Sequence, residues 1–389
     1  MNDLTGQIEN RNQPRPPGWT GRLAEDRIRR ILMDADIRVN GNRPWDLQVH
    51  DPAFFPRVLM HSSLALGETY TEGLWDAGDL EEVFRRLLRA AADRSHQGLT
   101  ALLSRIRAWL LNLQTPMRSG QVAEAHYDLG NDLYETMLDS RMVYTCAYWR
   151  DASTLEQAQV HKLRLCCEKL GLAPGMHVLD VGCGWGGFAE YAAMHYGVRV
   201  TGVTISKEQA KLARERCVNL PVDIRVCDYR EITGTYDRIV SLGMFEHVGH
   251  KNYRTFMEIM AARLAPQGSL LLQTIGKNDS TLGVDPWIDR YIFPNGEIPS
   301  LRQITDAVEG LFVIEDVHNF GPDYARTLRA WYTNFRTGWH RLRGRYPEKF
   351  FRLWRYYLLS CAGAFSARNL QLWQIVMNRG DVFKTFVRR

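Results

Sequence analysis

The sequence predicts an α/β chain, a doubly wound parallel sheet preceded by a smaller, mostly helical domain. Two patterns predict it. From His177 onward short apolar runs alternate with helical segments, whereas residues up to about 115 show helical periodicity. Residues 1–18 read as a flexible tail, 19–115 as the small domain and 116–389 as the larger α/β domain. Within the small domain helices are predicted over Ala24–Met33, Leu80–Ala92 and Leu99–Leu113. Asn40 to Pro44 forms a turn, and a short strand follows near Leu47–Val49. Gln114 to Gly120, with Pro116 inside it, is the expected linker. A helix over Leu155–Leu170 precedes the sheet. Buried strands are then expected at His177–Val181, Arg199–Thr204, Val222–Cys227, Arg238–Leu242 and Ser269–Ile275. Helices fall near Phe188–Tyr196, Lys207–Cys217 and Tyr253–Leu264, and further strands at Leu311–Val317 and Leu372–Asn378. In such a sheet, ligands bind at the carboxyl ends of the strands.

Composition narrows the class. The 389 residues are 45% hydrophobic and 24% charged, with 11 Trp, 16 Tyr and 15 Phe, which excludes a wholly disordered chain. The longest apolar run, near Ser269–Ile275, is far short of a membrane span. The amino terminus has neither a basic start nor an apolar core, so a cytoplasmic protein is expected, with its seven scattered cysteines reduced. From Trp331 onward twelve Lys/Arg face two acids, so this end carries +10 and the rest of the chain −5. Arg341, Arg343, Arg345, Lys349, Arg352 and Arg355 interleave with Trp339, Tyr346, Phe350, Phe351, Trp354 and Tyr356. That pattern reads either as a surface for lipid phosphates or as a helix whose aromatics face the core. No nucleic-acid reading motif accompanies it.

The segment Val178-Leu179-Asp180-Val181-Gly182-Cys183-Gly184-Trp185-Gly186-Gly187 lies where the first strand of this Rossmann-like sheet turns into its helix. Gly182, Gly184 and Gly187 have the spacing of a dinucleotide loop. Asp180, however, would repel a pyrophosphate, and Gly202 to Ser206 at the end of the second strand lacks the acid that binds a nicotinamide ribose. A ligand carrying a sulfonium and an α-amino group tolerates Asp180, so S-adenosylmethionine fits better than NAD; a purely structural turn is the remaining reading.

The words around this loop extend the pattern: HYDLGNDLY (126–134), YTCAYW (144–149), GVTISKEQ (202–209), DRIVSLGMFEHVG (237–249), DPWIDRYIFPNG (285–296), HNFGPDY (318–324) and CAGAF (361–365), with LALGETYTEGLWD (64–76) nearer the start. In combination they resemble the cyclopropane-fatty-acyl-phospholipid synthases, within the class I methyltransferases. The resemblance implies that Tyr144 and Thr145 contact S-adenosylmethionine. Relatives usually carry Ser where Thr145 stands. It further implies that Asp180, Gly182, Gly184 and Gly186 embrace the methionine part, that Thr204 and Gln209 lie near the ribose, and that Tyr229 lies against the adenine.

The implied reaction adds a methylene group across a cis double bond of a phospholipid acyl chain. The alkene is a weak nucleophile, so it must be held in line with the activated methyl and kept from water. Aromatic faces stabilise positive charge on carbon without reacting with it, which gives Tyr324 and the aromatics of 285–296 a purpose. Ring closure needs a base. The resemblance implies a bound bicarbonate ion held at Cys146, Glu246, Gln273, Ile275 and Tyr324, with Cys146 and Ile275 acting largely through the backbone. Many relatives carry His where Gln273 stands. An amide donates a hydrogen bond as neutral imidazole does, but it cannot become cationic. No metal is expected from the three-residue spacing of His247 and His250. The resemblance also implies a peripheral enzyme at the inner membrane face that meets its lipids at the bilayer surface, as a homodimer. Two other readings remain, a sister enzyme making a methyl branch and a lipid- or cofactor-binding protein without turnover.

Overall fold

The computed structural model describes residues 18–94, 130–281 and 283–380. Residues 1–17 of the expected tail, the helix 99–113, the linker 114–120 and His126 lie outside the described residues. The amino-terminal part contributes helices α1 (Gly18–Asp34), α2 (Phe54–Thr71) and α3 (Leu80–Arg94), with two-residue strands β1 (Gln48–Val49) and β2 (Trp75–Asp76) paired antiparallel. Sequence periodicity misses α2. Pro56 and Gly67 interrupt its pattern, and a kink at Ser62, with φ of 51°, breaks the helical period.

Helices α4 (Asn131–Met137) and α5 (Leu155–Leu170) lead into the main sheet. Thr154 caps α5 by accepting from Gln157 N, and Gly171 ends it in a left-handed conformation. The sheet comprises β3 (His177–Val181), β4 (Arg199–Thr204), β5 (Val222–Val226), β6 (Tyr236–Leu242), β7 (Leu264–Lys277), β8 (Val313–Asn319) and β9 (Leu370–Asn378), in the order β5-β4-β3-β6-β7-β9-β8. The strands from β5 to β7 pair parallel. β9 runs antiparallel to both β7 and β8, so the sheet is parallel apart from that strand. Strand order reverses at β3, whose neighbours are β4 and β6. That reversal opens the crevice at the carboxyl ends of β3 and β6.

Helices α6 (Gly187–Tyr196), α7 (Lys207–Arg216), α8 (Tyr253–Arg263), α9 (Pro286–Tyr291) and α10 (Leu301–Val308) connect these strands. Two long helices, α11 (Gly321–Leu342) and α12 (Glu348–Ser366), sit between β8 and β9. Their apolar faces join those of α1 to α3 in one hydrophobic cluster running from Ala24 to Leu372. Gly363 permits the close approach of α12 to α3, because a Cβ there would lie 2.5 Å from Phe84 Cβ.

This packing decides between the two readings of the basic aromatic end. Trp339, Tyr346, Trp354 and Tyr356 are buried core residues. Arg352 donates to the Tyr70 and Trp75 carbonyls at 2.8 and 3.0 Å, and Arg355 donates to the Tyr70 hydroxyl and the Ala77 carbonyl. The expected aromatic surface is therefore corrected to an internal seam, because burying the rings outweighs leaving them wet. Arg341, Arg343 and Arg345 stay exposed. Among the described residues no helix is long and apolar enough to cross a membrane.

Candidate active site

The glycine loop leaves β3 under tight backbone constraints. Gly182 N and Cys183 N both donate to Val203 O, at 2.9 and 3.0 Å, tying the loop to β4. Gly182 has φ of 83°, and a Cβ there would sit 2.8 Å from Met244 Cβ, so only glycine serves. The loop borders a cavity at the crevice, lined also by Tyr144, Thr145, Asp180, Thr204, Gln209 and Tyr229. Gly182 and Gly184 line it as well. Gly186 instead caps α6 with φ of 81° and packs on Ala213.

Asp180 is 2% exposed, and its Oδ2 has no hydrogen-bond partner. Burial pushes its carboxyl up to about 7, opposed by the buried ammonium of Lys162. Thr204 Oγ1 donates to Gln209 Oε1 at 2.9 Å, while Ser206 caps α7, so the end of β4 is ordered before any ligand enters. Tyr229 packs edge-on against Phe256 with its hydroxyl unpartnered, and the Arg230 guanidinium lies 4.6 Å over its ring. Lys162 and His247 also line the cavity, and sequence reasoning did not single them out as site residues. The signal for Lys162 was present: Ala158, Lys162 and Cys166 recur every four residues, placing a lysine on the apolar stripe of α5. His247 Nδ1 is buried without a partner, and burial lowers the imidazole to about 4, so it is neutral at pH 7.

A second buried cluster adjoins the first. Glu246, in the first of two 3-10 turns after β6, accepts from Ile275 N at 2.7 Å through Oε1, and its Oε2 has no partner. Burial pushes this carboxyl up to about 7. Gln273 and Ile275 point to one face of β7 as alternate residues. Gln273 Oε1 accepts from Gln374 Nε2 of β9 at 2.9 Å, leaving Gln273 Nε2 unpartnered and fully buried. Tyr324, in the first turn of α11, packs against Phe365 and Trp331, within electrostatic reach of Cys146 and Glu246. Cys146 donates to Ala147 O at 3.2 Å. Burial pushes its thiol well above the usual range, so it is no thiolate nucleophile.

Aromatic rings bridge the two clusters. The Tyr144 and Tyr357 hydroxyls are 2.8 Å apart, Tyr144 packs on Trp331, and Phe293 lies between Tyr357 and His247. The expectation for the aromatics of 285–296 is corrected for two of the three. Trp287 packs on Gly67 and Tyr356, and Tyr291 donates to Glu68 Oε1 at 2.9 Å, so both fasten α2 rather than line the site. His250 pairs with Glu297 at 2.8 Å, away from His247. Among the described residues, no three His, Cys, Asp or Glu side chains gather as metal ligands.

The family model for mycolic acid cyclopropane synthetase matches residues 114–375. The chain belongs to this family. Within the cyclopropane synthetases and their relatives, it is 52% identical over 353 residues to the cyclopropane-fatty-acyl-phospholipid synthase of Escherichia coli K12, covering 90% of this chain and 92% of that one. It is 32% identical to the tuberculostearic acid methyltransferase UfaA1 of Mycobacterium tuberculosis over 87% of this chain and 84% of that one. The crystal structure of mycolic acid cyclopropane synthase CmaA1 complexed with SAH and CTAB superposes with a TM-score of 0.62 at 32% identity, covering 67% of this chain and 98% of that one. The cyclopropane synthetase assignment makes the chain a methyltransferase dependent on S-adenosylmethionine. Its cavity suits that cofactor: an orphaned carboxylate oxygen on Asp180 faces a cationic ligand, and the glycine backbone leaves room for close approach.

Proposed function

We propose that the protein transfers a methylene group from S-adenosylmethionine to the cis double bond of unsaturated acyl chains in membrane phospholipids, closing a cyclopropane ring. One observation carries this reading. A buried carboxylate, Glu246, has one oxygen fixed by a backbone N–H and the other unpartnered, across a run of aromatic rings from the cofactor cavity. Bound S-adenosylmethionine supplies an electrophilic methyl group, and bicarbonate a base for the proton lost on ring closure.

Each residue then has a task. Glu246 Oε2 would accept from the bicarbonate hydroxyl, and Gln273 Nε2 would donate to it; both atoms lack other partners. Gln374 holds the Gln273 amide with its donor end free. The ring faces of Tyr144, Trp331 and Tyr324 meet positive charge on the acyl carbon. Their burial excludes the water that would trap that charge.

Incubating the protein with labelled S-adenosylmethionine and monounsaturated phospholipid vesicles, then analysing the acyl chains, tests the reading. A cyclopropane product is expected. A methylene-branched chain, equal in mass to the ring but still an alkene, would instead place the protein with the branching methyltransferases; only with an added hydride donor would that branch be saturated and two hydrogens heavier. Gln273→His tests the bicarbonate role. An imidazole able to become cationic gives a stronger, charge-assisted bond, so the bicarbonate needed for half-maximal turnover is expected to fall several-fold, roughly doubling the bond's strength. An unchanged requirement in carbonate-depleted buffer would place the ion elsewhere.

The enzyme is proposed to meet its lipids at the cytoplasmic face of the membrane. Exposed Arg341, Arg343 and Arg345 supply cations for headgroup phosphates, and exposed Leu23, Met33 and Met60 supply apolar contacts on α1 and α2. Binding to anionic vesicles is expected to weaken as salt rises from about 0.05 to about 0.5 M, as the screening length shrinks. Salt-insensitive sedimentation with vesicles would remove the electrostatic part.

A further inference from the structure

Lys162 is an amino group sealed under the cofactor cavity, where burial lowers its pKa below the usual lysine range and the carboxyls of Asp139 and Asp180 favour its charged form. Its side chain is fully buried on α5, and Nζ donates to Thr145 Oγ1 at 3.0 Å. An oxygen that accepts from a cation keeps its own hydrogen for another partner. The rest of Thr145 is fixed as well. Its carbonyl accepts from Gln159 Nε2 at 2.9 Å, and its methyl occupies the space left by Gly243, where a Cβ would come within 2.7 Å. The hydroxyl hydrogen is thus left for the cavity that Thr145 lines.

Lys162 and Asp180 line the same cavity. That carboxylate lines the cavity with an unpartnered oxygen, and Lys162 is the charged side chain that favours its ionised form against burial. The groups facing Lys162 are Asp139 from the loop after α4, Cys146, Cys166 on its own helix, and Asp180 from β3. The thiols are neutral, their ionisation suppressed by burial. Asp139 is occupied by the N–H groups of Arg141 and Val143. A methionine would fill the space of this lysine without the cost of desolvating a charge, so packing alone does not explain it.

We propose that Lys162 is a positioning residue of the cofactor site, committing Thr145 to donate its hydroxyl hydrogen into the cavity and holding Asp180 in the anionic form that a cationic ligand requires. The inference rests on the cavity being the S-adenosylmethionine site. Calorimetric binding of S-adenosylhomocysteine, whose α-ammonium is the relevant cation, tests both separately. Wild-type protein that fails to bind at any pH takes down the cofactor reading itself.

Given wild-type binding, affinity is measured between about pH 6.5 and about pH 8.5, with thermal unfolding as the check on folding. Wild-type affinity falls toward acid as Asp180 is protonated. In Lys162→Gln and Lys162→Met the midpoint of that fall moves to higher pH, and a shift of one unit lowers affinity by about fivefold at pH 7, approaching about tenfold at lower pH. Thr145→Val weakens binding several-fold at every pH and leaves the midpoint in place, because it removes the hydroxyl and keeps the ammonium. A folded Lys162→Gln protein with the wild-type midpoint overturns the Asp180 part, and a Thr145→Val protein of wild-type affinity overturns the hydroxyl part. Should Lys162→Met fail to fold, the glutamine variant, which retains a donor and similar length, decides.

Discussion

Glu246→Gln is expected to lower acyl-chain turnover by about a hundred- to ten-thousandfold, the usual range for losing a group that acts in proton transfer. Binding of S-adenosylhomocysteine should change little, because Glu246 lies outside the residues lining the cofactor cavity. The amide keeps the size of the carboxylate but presents an N–H where an acceptor is needed. The wild-type pH profile carries a second mark. Burial raises the Glu246 carboxyl to about 7, and the ionised form does the work, so turnover at saturating cofactor falls as pH drops through about 7. That acid limb should be missing from the residual activity of Glu246→Gln. Full activity in the variant would end the base-positioning role.

The same raised values bear on stability, with the opposite sense to an ordinary paired carboxylate. Asp139, Asp180 and Glu246 titrate at about 6, 7 and 7 when folded, above their unfolded values. The native state therefore holds more protons between about pH 4 and about pH 7. Their contribution to stability is greatest below that window and declines as pH rises through it.

Gly276→Ala is expected to destabilise the fold by about 3 kcal/mol, the upper end for overpacking a well-packed core. A Cβ at Gly276 would lie 1.9 Å from Trp373 Cζ3 and 2.4 Å from two more ring atoms. The indole has little room to yield, since Trp373 is buried on β9, which is paired on both sides. The measurement is the denaturant midpoint. Combining the change with Trp373→Leu should recover part of the loss, whereas an unaltered midpoint in the single variant would mean that the strands separate easily. Because β7 carries Gln273 and Ile275, the folded fraction is also expected to lose turnover faster than cofactor binding.

Sequence reasoning reached the sheet well because its signals are local. His177–Val181 and Arg199–Thr204 are short apolar runs between turns, and both are strands with those bounds. The glycines at 182, 184 and 186 all take positive φ, a demand of the backbone that shows in residue type. The helix Phe54–Thr71 was illegible for the converse reason. Its kink at Ser62 suits no local rule, and it is held by distant partners, Trp287 against Gly67 and Arg352 on the Tyr70 carbonyl.

By itself the amino-acid sequence determined the alternating α/β order, the cofactor loop and the family. Those follow from backbone preference, hydrophobic period and runs of adjacent residues. Tertiary structure alone decided that Arg352 and Arg355 turn inward, that Phe293 rather than Trp287 or Tyr291 reaches the site, and that Lys162 donates to Thr145 in a cavity both share with Asp180. These are choices of partner between residues far apart in the chain. They are made by which side chains fill a shared volume and satisfy each other's charge once the helices have docked, and no short stretch of sequence carries that information.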